Sequence, residues 1–212
     1  MRDKQLIIFD WDGTVMDTVP KIVNTVKLVA KKHHLEAPSD HAIRGIIGLS
    51  LDTAIAQLFG ETSPITKLAS TYKHIYLHED DTSSALFPHV EACLASLKQR
   101  GYTLAVATGK SRVGLNRLMA ETGLENYFSA TRTACECASK PSPEMILEIC
   151  DELAIAPNHA VMIGDTDIDM TMANNAKVTS IGVTFGAHTL AQLEACQPDH
   201  IVTQFEQIAD LF

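Results

Sequence analysis

The sequence predicts an α/β protein, a Rossmann-like doubly wound parallel sheet with an all-helical subdomain inserted into it. Two observations carry that expectation. Short apolar, β-branched runs recur at residues 6–9, 104–107, 161–163, 181–183 and, more weakly, 201–202, with helical patterns between them. Strands alternating with helices build parallel sheets covered on both faces. Residues 16–85 break the rhythm: helical patterns follow one another for about seventy residues with no strand candidate, too long for a single crossover. The expected division is a core of 1–15 and 86–212, interrupted by a helical cap-like insertion at 16–85.

Taken in order, LIIF at residues 6–9 is four consecutive apolar side chains, the pattern of a strand buried on both faces. Ile22, Val23, Val26, Val29 and Ala30 then share one helical face, and Ile43, Ile46 and Ile47 share another. Residues 51–59 and 65–77 read as two more helices. Helical faces return at Val90, Cys93, Leu94 and Leu97, ahead of the strand at 104–107. Another lies at Met145, Ile149, Cys150 and Leu153, in a helix that begins near Pro143.

At 212 residues, 46% hydrophobic and 20% charged, the chain has the balance of an ordinary folded protein. Its formal net charge of -9 repels nucleic acid and anionic membrane, so neither is an expected partner. A small phosphate ester would be repelled too, unless local cations or a divalent metal reverse the sign within a site. No apolar run approaches a membrane span, and residues 1–4 lead straight into the first strand without room for a signal peptide. A cytoplasmic location is therefore expected. The five cysteines are an odd number without a C-x-x-C pair, which points to buried free thiols. Cys135 and Cys137 lack the second pair of soft ligands that a zinc site needs.

Chemistry-bearing residues gather at strand ends. Asp10 and Asp12 follow the run at 6–9, Thr108 ends "LAVATGKS", and Asp165 follows the run at 161–163 in "VMIGDTDIDM". In an open parallel sheet the carboxyl ends of the strands line one crevice, where ligands bind. Lys140, in "SKPSPE", lies in a loop before a helix and can reach the same place.

These residue types suit phosphoryl transfer. A carboxylate such as Asp10 is a competent nucleophile toward phosphorus. Its attack on an anionic phosphate needs a hard cation, and Asp10 and Asp165 offer the oxygen ligands that Mg²⁺ prefers. Thr108 and nearby backbone N–H groups can hold phosphate oxygens while Lys140 offsets their charge. Asp12 can protonate the leaving oxygen and later take a proton from water.

Two rival motifs fail on spacing. "GKS" at residues 109–111 ends like a P-loop, but the first glycine would fall at Leu104. "DTDID" at 165–169 begins like a calcium loop, yet Met170 and Ala176 occupy the places of the required glycine and glutamate. Taken singly, each residue has an ordinary reading. Asp10 and Asp12 could be solvated strand ends, Thr108 a helix N-cap and Lys140 a surface lysine, with Asp167 and Asp169 complementing a helix dipole. Their joint occurrence, in order, decides for chemistry.

Together the motifs "DWDGT" (residues 10–14), "VATGK" around Thr108, "KPSPE" from Lys140 and "GDTDIDMTMA" (164–173) resemble the haloacid dehalogenase superfamily of phosphohydrolases. The resemblance implies a nucleophile at Asp10, a general acid/base at Asp12, phosphate holding by Thr108 and Lys140, and Mg²⁺ at Asp10 and Asp165. It also implies a metal contact from the Asp12 backbone carbonyl and support of the metal shell by Asp169. Thr14, Gly109 and Lys110 are further candidate substrate contacts. "GLSL" (48–51), "GVTFG" (182–186) and "PDHIV" (198–202) look like phosphoglycolate phosphatases. This chain departs from them at Gly109, where Asn or Ser is common, at Phe185 for a frequent Trp, and at Lys177 for a frequent Gly.

The function this implies is a Mg²⁺-dependent phosphatase for a small phosphorylated metabolite, 2-phosphoglycolate first, as a monomer or homodimer. The insertion would close on hinges at 16–19 and 83–86, with Arg44 reaching a substrate carboxylate. A dehalogenase displaces halide without protonating it and would not need Asp12. A phosphosugar mutase shares the same acid pair and is the alternative within the superfamily. An idle interaction module keeping the fold is the alternative outside catalysis.

Overall fold

A computed structural model describes Met1 and residues 3–212. Its strands are β1 (Leu6–Phe9), β2 (Met16–Asp17), β3 (Ala85–Leu86), β4 (Thr103–Thr108), β5 (Ala130–Thr133), β6 (Ala160–Gly164), β7 (Thr179–Val183) and β8 (His200–Val202). Six form one sheet in the order β5-β4-β1-β6-β7-β8. All its pairings are parallel, with Leu6 opposite both Thr103 and Ala160 and Phe9 opposite both Val106 and Ile163. The chain winds outward one way from β1 to β4 and β5, and the other way through β6. β1 is therefore the switch point, and the crevice beyond its carboxyl end is where such sheets bind ligands.

The helices are α1 (Val19–Lys32), α2 (Asp40–Arg44), α3 (Leu51–Phe59), α4 (Ile65–His78), α5 (Val90–Gln99), α6 (Arg112–Thr122), α7 (Glu144–Glu152), α8 (Asp167–Ala176), α9 (Leu190–Ala195) and α10 (Gln207–Asp210). Alternate side chains of a strand face opposite ways, which explains why LIIF is apolar throughout. Ile7 and Phe9 pack with Leu94 and Leu97 of α5, Leu115 of α6 and Ile208 of α10. Leu6 and Ile8 pack on the other face with Met145 and Ile149 of α7 and Met172 of α8.

Between β2 and β3, α1–α4 build two further apolar clusters, one of which also takes in Ala187. Val19, Ile22 and Val26 meet Ile43, Ile47, Ala54 and Tyr76, while Val29 meets Ile55, Leu68 and Ile75. Buried Asp80 ties the end of this stretch back to α1. It accepts from Thr25 Oγ1 at 2.6 Å, Asn24 Nδ2 at 2.9 Å and the Thr82 N–H at 3.0 Å.

The structure corrects three sequence expectations. β5 had no apolar signature because it is an edge strand; Arg132 pairs with Glu148 and Glu152 of α7, each at 2.7 Å. Strands do occur at the ends of the insertion: β2 and β3 form an antiparallel ribbon, Met16 opposite Leu86 and Asp17 opposite Ala85. Two residues are too few for a periodic signal, and only the pairing makes them strands. Of the free thiols, Cys93 and Cys150 are buried, but Cys135 is exposed and Cys137 and Cys196 are half-buried. No helix among the described residues is long and apolar enough to cross a membrane.

Candidate active site

Strand β1 carries its hydrogen bonding one residue past its end, because the Asp10 N–H donates to the Ile163 carbonyl at 2.9 Å. This fixes the Asp10 side chain at the mouth of the crevice, wholly buried. Lys140 arrives from the loop before α7 and is equally buried. Its ammonium stands 2.8 Å from Asp10 Oδ1 and 2.7 Å from Asp169 Oδ1. Asp165 follows β6, and one oxygen each of Asp10, Asp165 and Asp169 lies within 4.8 Å of the others.

Asp165 and Asp169 are held by named donors. Asp165 Oδ1 accepts from Thr14 Oγ1 at 2.8 Å, and Oδ2 from the Ala187 N–H at 2.7 Å. Asp169 closes a capping box at the start of α8, accepting from Thr166 Oγ1 at 2.6 Å and from its N–H at 3.2 Å. Gly13 makes the close approach possible. Its φ is +77°, and a Cβ there would fall 2.1 Å from Asp165 Oδ2.

The charge count is unbalanced: three buried carboxylates face one ammonium. Burial pushes the Asp10 carboxyl up to about 7; Lys140 opposes the shift and Asp169 adds to it. Burial, then Asp169 and Asp10, raise Asp165 well above the carboxylate range. Burial alone would lower Lys140, but Asp10 and Asp169 outweigh it and hold the ammonium protonated. Among the described residues, neither Asp10 oxygen accepts a well-formed hydrogen bond, and Lys140 meets Oδ1 only as an ion pair. Buried acceptors of this kind are normally satisfied. Hard oxygens, excess negative charge and unsatisfied acceptors together fit Mg²⁺.

Asp12 stands apart from the three-acid group. Its Oδ1 accepts from Thr18 Oγ1 at 2.5 Å and forms an ion pair with Lys110 Nζ at 2.8 Å. The Lys110 ammonium also lies 5.4 Å from the ring centre of Tyr76, on α4, a cation–π contact from the insertion. Burial opposes protonation of Lys110, but Asp12, Tyr76 and Asp10 together outweigh it and raise its pKa. Thr108 is fully buried at the end of β4, and its Oγ1 accepts from the Lys110 N–H at 3.3 Å.

Asp10, Asp165, Asp169 and Lys140 thus converge, with Asp12 on the loop after β1 and Thr108 at the end of β4. At four of the positions expected to meet substrate, the structure shows contacts within the protein. Thr14 Oγ1 donates to Asp165. Lys110 is paired with Asp12. Arg44 donates to the Ala187 carbonyl at 3.4 Å, so its guanidinium is engaged with the loop that holds Asp165. Gly109 offers no substrate contact from a side chain; the insertion's backbone presses against it.

Thr18 and Ala187 were not foreseen. Thr18 lies six residues beyond Asp12, in "VMDT", and its hydroxyl is the only signal the sequence offers for it as a partner. Ala187 acts through a backbone N–H, which leaves no mark in a sequence.

An open α/β sheet with a buried acid–lysine group at its switch point defines an enzyme of the doubly wound type. The chain belongs to the haloacid dehalogenase-like hydrolases, whose family model matches residues 7–183. It is 36% identical to a Dickeya dadantii protein described as probable phosphatase IndB, over 97% of this chain and 92% of the relative. It is 26% identical to the phosphoglycolate phosphatase of Pasteurella multocida, over 98% of both. A haloacid dehalogenase-like family hydrolase from Streptococcus pneumoniae superposes with a TM-score of 0.86 at 25% identity, over 100% of both chains. The resemblance read from the motifs is borne out at the level of the family.

Proposed function

We propose that this chain is a Mg²⁺-dependent phosphatase that hydrolyses a small phosphorylated metabolite, 2-phosphoglycolate first, through an aspartyl-phosphate on Asp10. One observation carries the reading: a buried Asp10 with an uncommitted oxygen, braced by Lys140, beside a separately held second carboxylate, Asp12. Residues 1–15 and 86–212 serve as the core and 16–85 as a cap, hinged at 16–19 and 83–86 where β2 and β3 meet. The names of the relatives supply the substrate class, and the small anionic substrate matches the local cations Lys110 and Lys140.

Asp10, Asp165 and Asp169 would hold the metal, which when bound lowers the repulsion between the carboxylate and the phosphate. Asp10 attacks phosphorus, the ester P–O bond breaks, and Asp12 gives its proton to the leaving oxygen. Thr108 and the adjacent backbone N–H groups hold the phosphoryl oxygens, with Lys140 balancing charge. Water then attacks phosphorus of the aspartyl-phosphate, Asp12 recovers a proton from it, and the bond from Asp10 to phosphorus breaks, regenerating the carboxylate and releasing inorganic phosphate.

The test is phosphate release from a panel of phosphorylated metabolites with Mg²⁺, ranked by kcat/KM, for wild type and Asp10→Asn. The expected result is 2-phosphoglycolate among the preferred substrates and loss of at least about 10³-fold in the variant. Equal, slow release by both proteins would refute the reading.

A further inference from the structure

The segment after α2 carries Gly48 and Leu49 directly over the loop that follows β4. A Cβ built on Gly109 would stand 2.4 Å from the Gly48 carbonyl oxygen, 2.5 Å from that of Leu49 and 2.8 Å from the Gly48 carbonyl carbon. All three are backbone atoms and cannot swing aside as a flexible side chain would. Two more contacts lie beneath the same segment. The Ser50 N–H donates to Ser139 Oγ at 2.9 Å, and a Cβ on Gly48, where φ is +102°, would meet Thr166 Oγ1 at 3.6 Å. Ser139 precedes Lys140, Thr166 follows Asp165, and Gly109 sits between Thr108 and Lys110. The segment therefore closes on three loops that carry the site.

We infer that Gly109 is a specificity-determining residue: its missing side chain lets residues 48–50 settle directly on the crevice, so that only esters with a small leaving group fit beneath. The inference rests on the phosphatase reading and deepens it. In this chain a methyl at 109 fits only if the segment rises by about 1 Å, the gap between 2.4 Å and ordinary contact distance. The change falls on one side of the site. Asp12 must protonate the leaving oxygen, and Asp12 is held by Lys110, the residue after Gly109. The height of the segment is thus felt by the leaving group, whereas the phosphoryl group lies with Asp10, Thr108 and Lys140. A small ester gains a water-excluded, closely fitted site when the segment is down. A bulky ester holds the segment up and forgoes that gain. Discrimination follows as a ratio of kcat/KM values.

The experiment compares 2-phosphoglycolate with p-nitrophenyl phosphate at saturating Mg²⁺, using full-length wild type, Gly109→Ala and Ser139→Ala. Wild type is expected to favour 2-phosphoglycolate. Gly109→Ala is expected to lower the ratio of kcat/KM for 2-phosphoglycolate to that for the aryl ester at least tenfold, mainly through a higher KM for 2-phosphoglycolate. Ser139→Ala removes a single contact of the same segment and shifts the preference the same way by a smaller factor, with little risk to folding. A wild type that prefers the aryl ester, a ratio within twofold of wild type in all variants, or parallel loss of both activities would overturn the inference. If wild type releases phosphate from neither ester, the phosphatase reading fails and the inference falls with it.

Discussion

Lys140 places an ammonium where no water reaches it, and it persists there because Asp10 and Asp169 meet it within 2.8 Å. Removing one partner of such a group is costly, because a buried charge is left uncompensated. The group is over-supplied with acid, and this has a pH signature. An Asp10 carboxyl raised to about 7 binds protons in the folded chain that the unfolded chain has already released above about 4. Stability from this residue therefore falls as pH rises from about 4 to 7. Lys140, raised in the fold, gives stability that is fully present throughout that window and lost only at alkaline pH. In chelator, the wild-type Tm is expected to decline across pH 4–7 more steeply than that of Asp10→Asn. Mg²⁺ is expected to add stability that grows over the same interval, measured by thermal scans with and without the ion. Equal slopes for the two proteins would contradict the assignment of the raised group to Asp10. The hydroxyl of Thr14 is a separate case. Thr14→Val leaves Asp165 Oδ1 without its donor and is expected to weaken Mg²⁺ binding by about 10–100-fold, read by calorimetry.

At the scale of elements, the insertion is anchored through a few polar and glycine-dependent contacts in addition to its own apolar clusters. Asp80 gathers donors from α1 and from the segment returning to β3. Although burial raises its pKa, the hydrogen bonds from Thr25, Thr82 and Asn24 outweigh that and hold it below the usual carboxylate value. Its stabilising contribution is present above about pH 4 and lost as pH falls through the depressed value. Asp80→Ala is expected to cost about 1–3 kcal/mol in urea unfolding at neutral pH, with the difference from wild type shrinking below pH 4. A constant difference at every pH would show that packing, not the carboxylate, is responsible. Ala187 links the other way, from core to insertion. Its side chain is buried in the cluster formed by Val19, Ile43 and Tyr76, while its N–H holds Asp165.

For the whole molecule, those contacts make cooperative unfolding the expected behaviour. The chain has one tryptophan, Trp11, fully buried between Asp10 and Asp12 and packed edge-on to Phe128 of the core. Its fluorescence reports the core, whereas far-UV circular dichroism also weights the helices α1–α4. The two transitions in urea are expected to coincide, as a two-state unit requires. A helical transition preceding the tryptophan transition would show the insertion melting on its own.

The sequence alone determined the elements whose chemistry is local. Runs such as LIIF must be strands buried on both faces, the helical spacing of Ile22, Val23 and Val26 must face a core, and Asp10, Asp12, Thr108 and Asp165 must stand at strand ends. Those follow from periodicity and from the cost of burying unpaired charge, which neighbours in the chain already reveal. Tertiary structure decided everything that depends on which strands and loops become neighbours. It made an edge strand of the polar residues 130–133, a ribbon of two dipeptides, a brace for Asp165 from Thr14 and the Ala187 backbone, and a tether for Asp12 from Lys110. It also turned Gly109 from an apparent loss of a contact into the place where the insertion comes to rest. Such partners lie up to 151 residues apart in the chain, and no local pattern encodes a distance of a few ångströms between them.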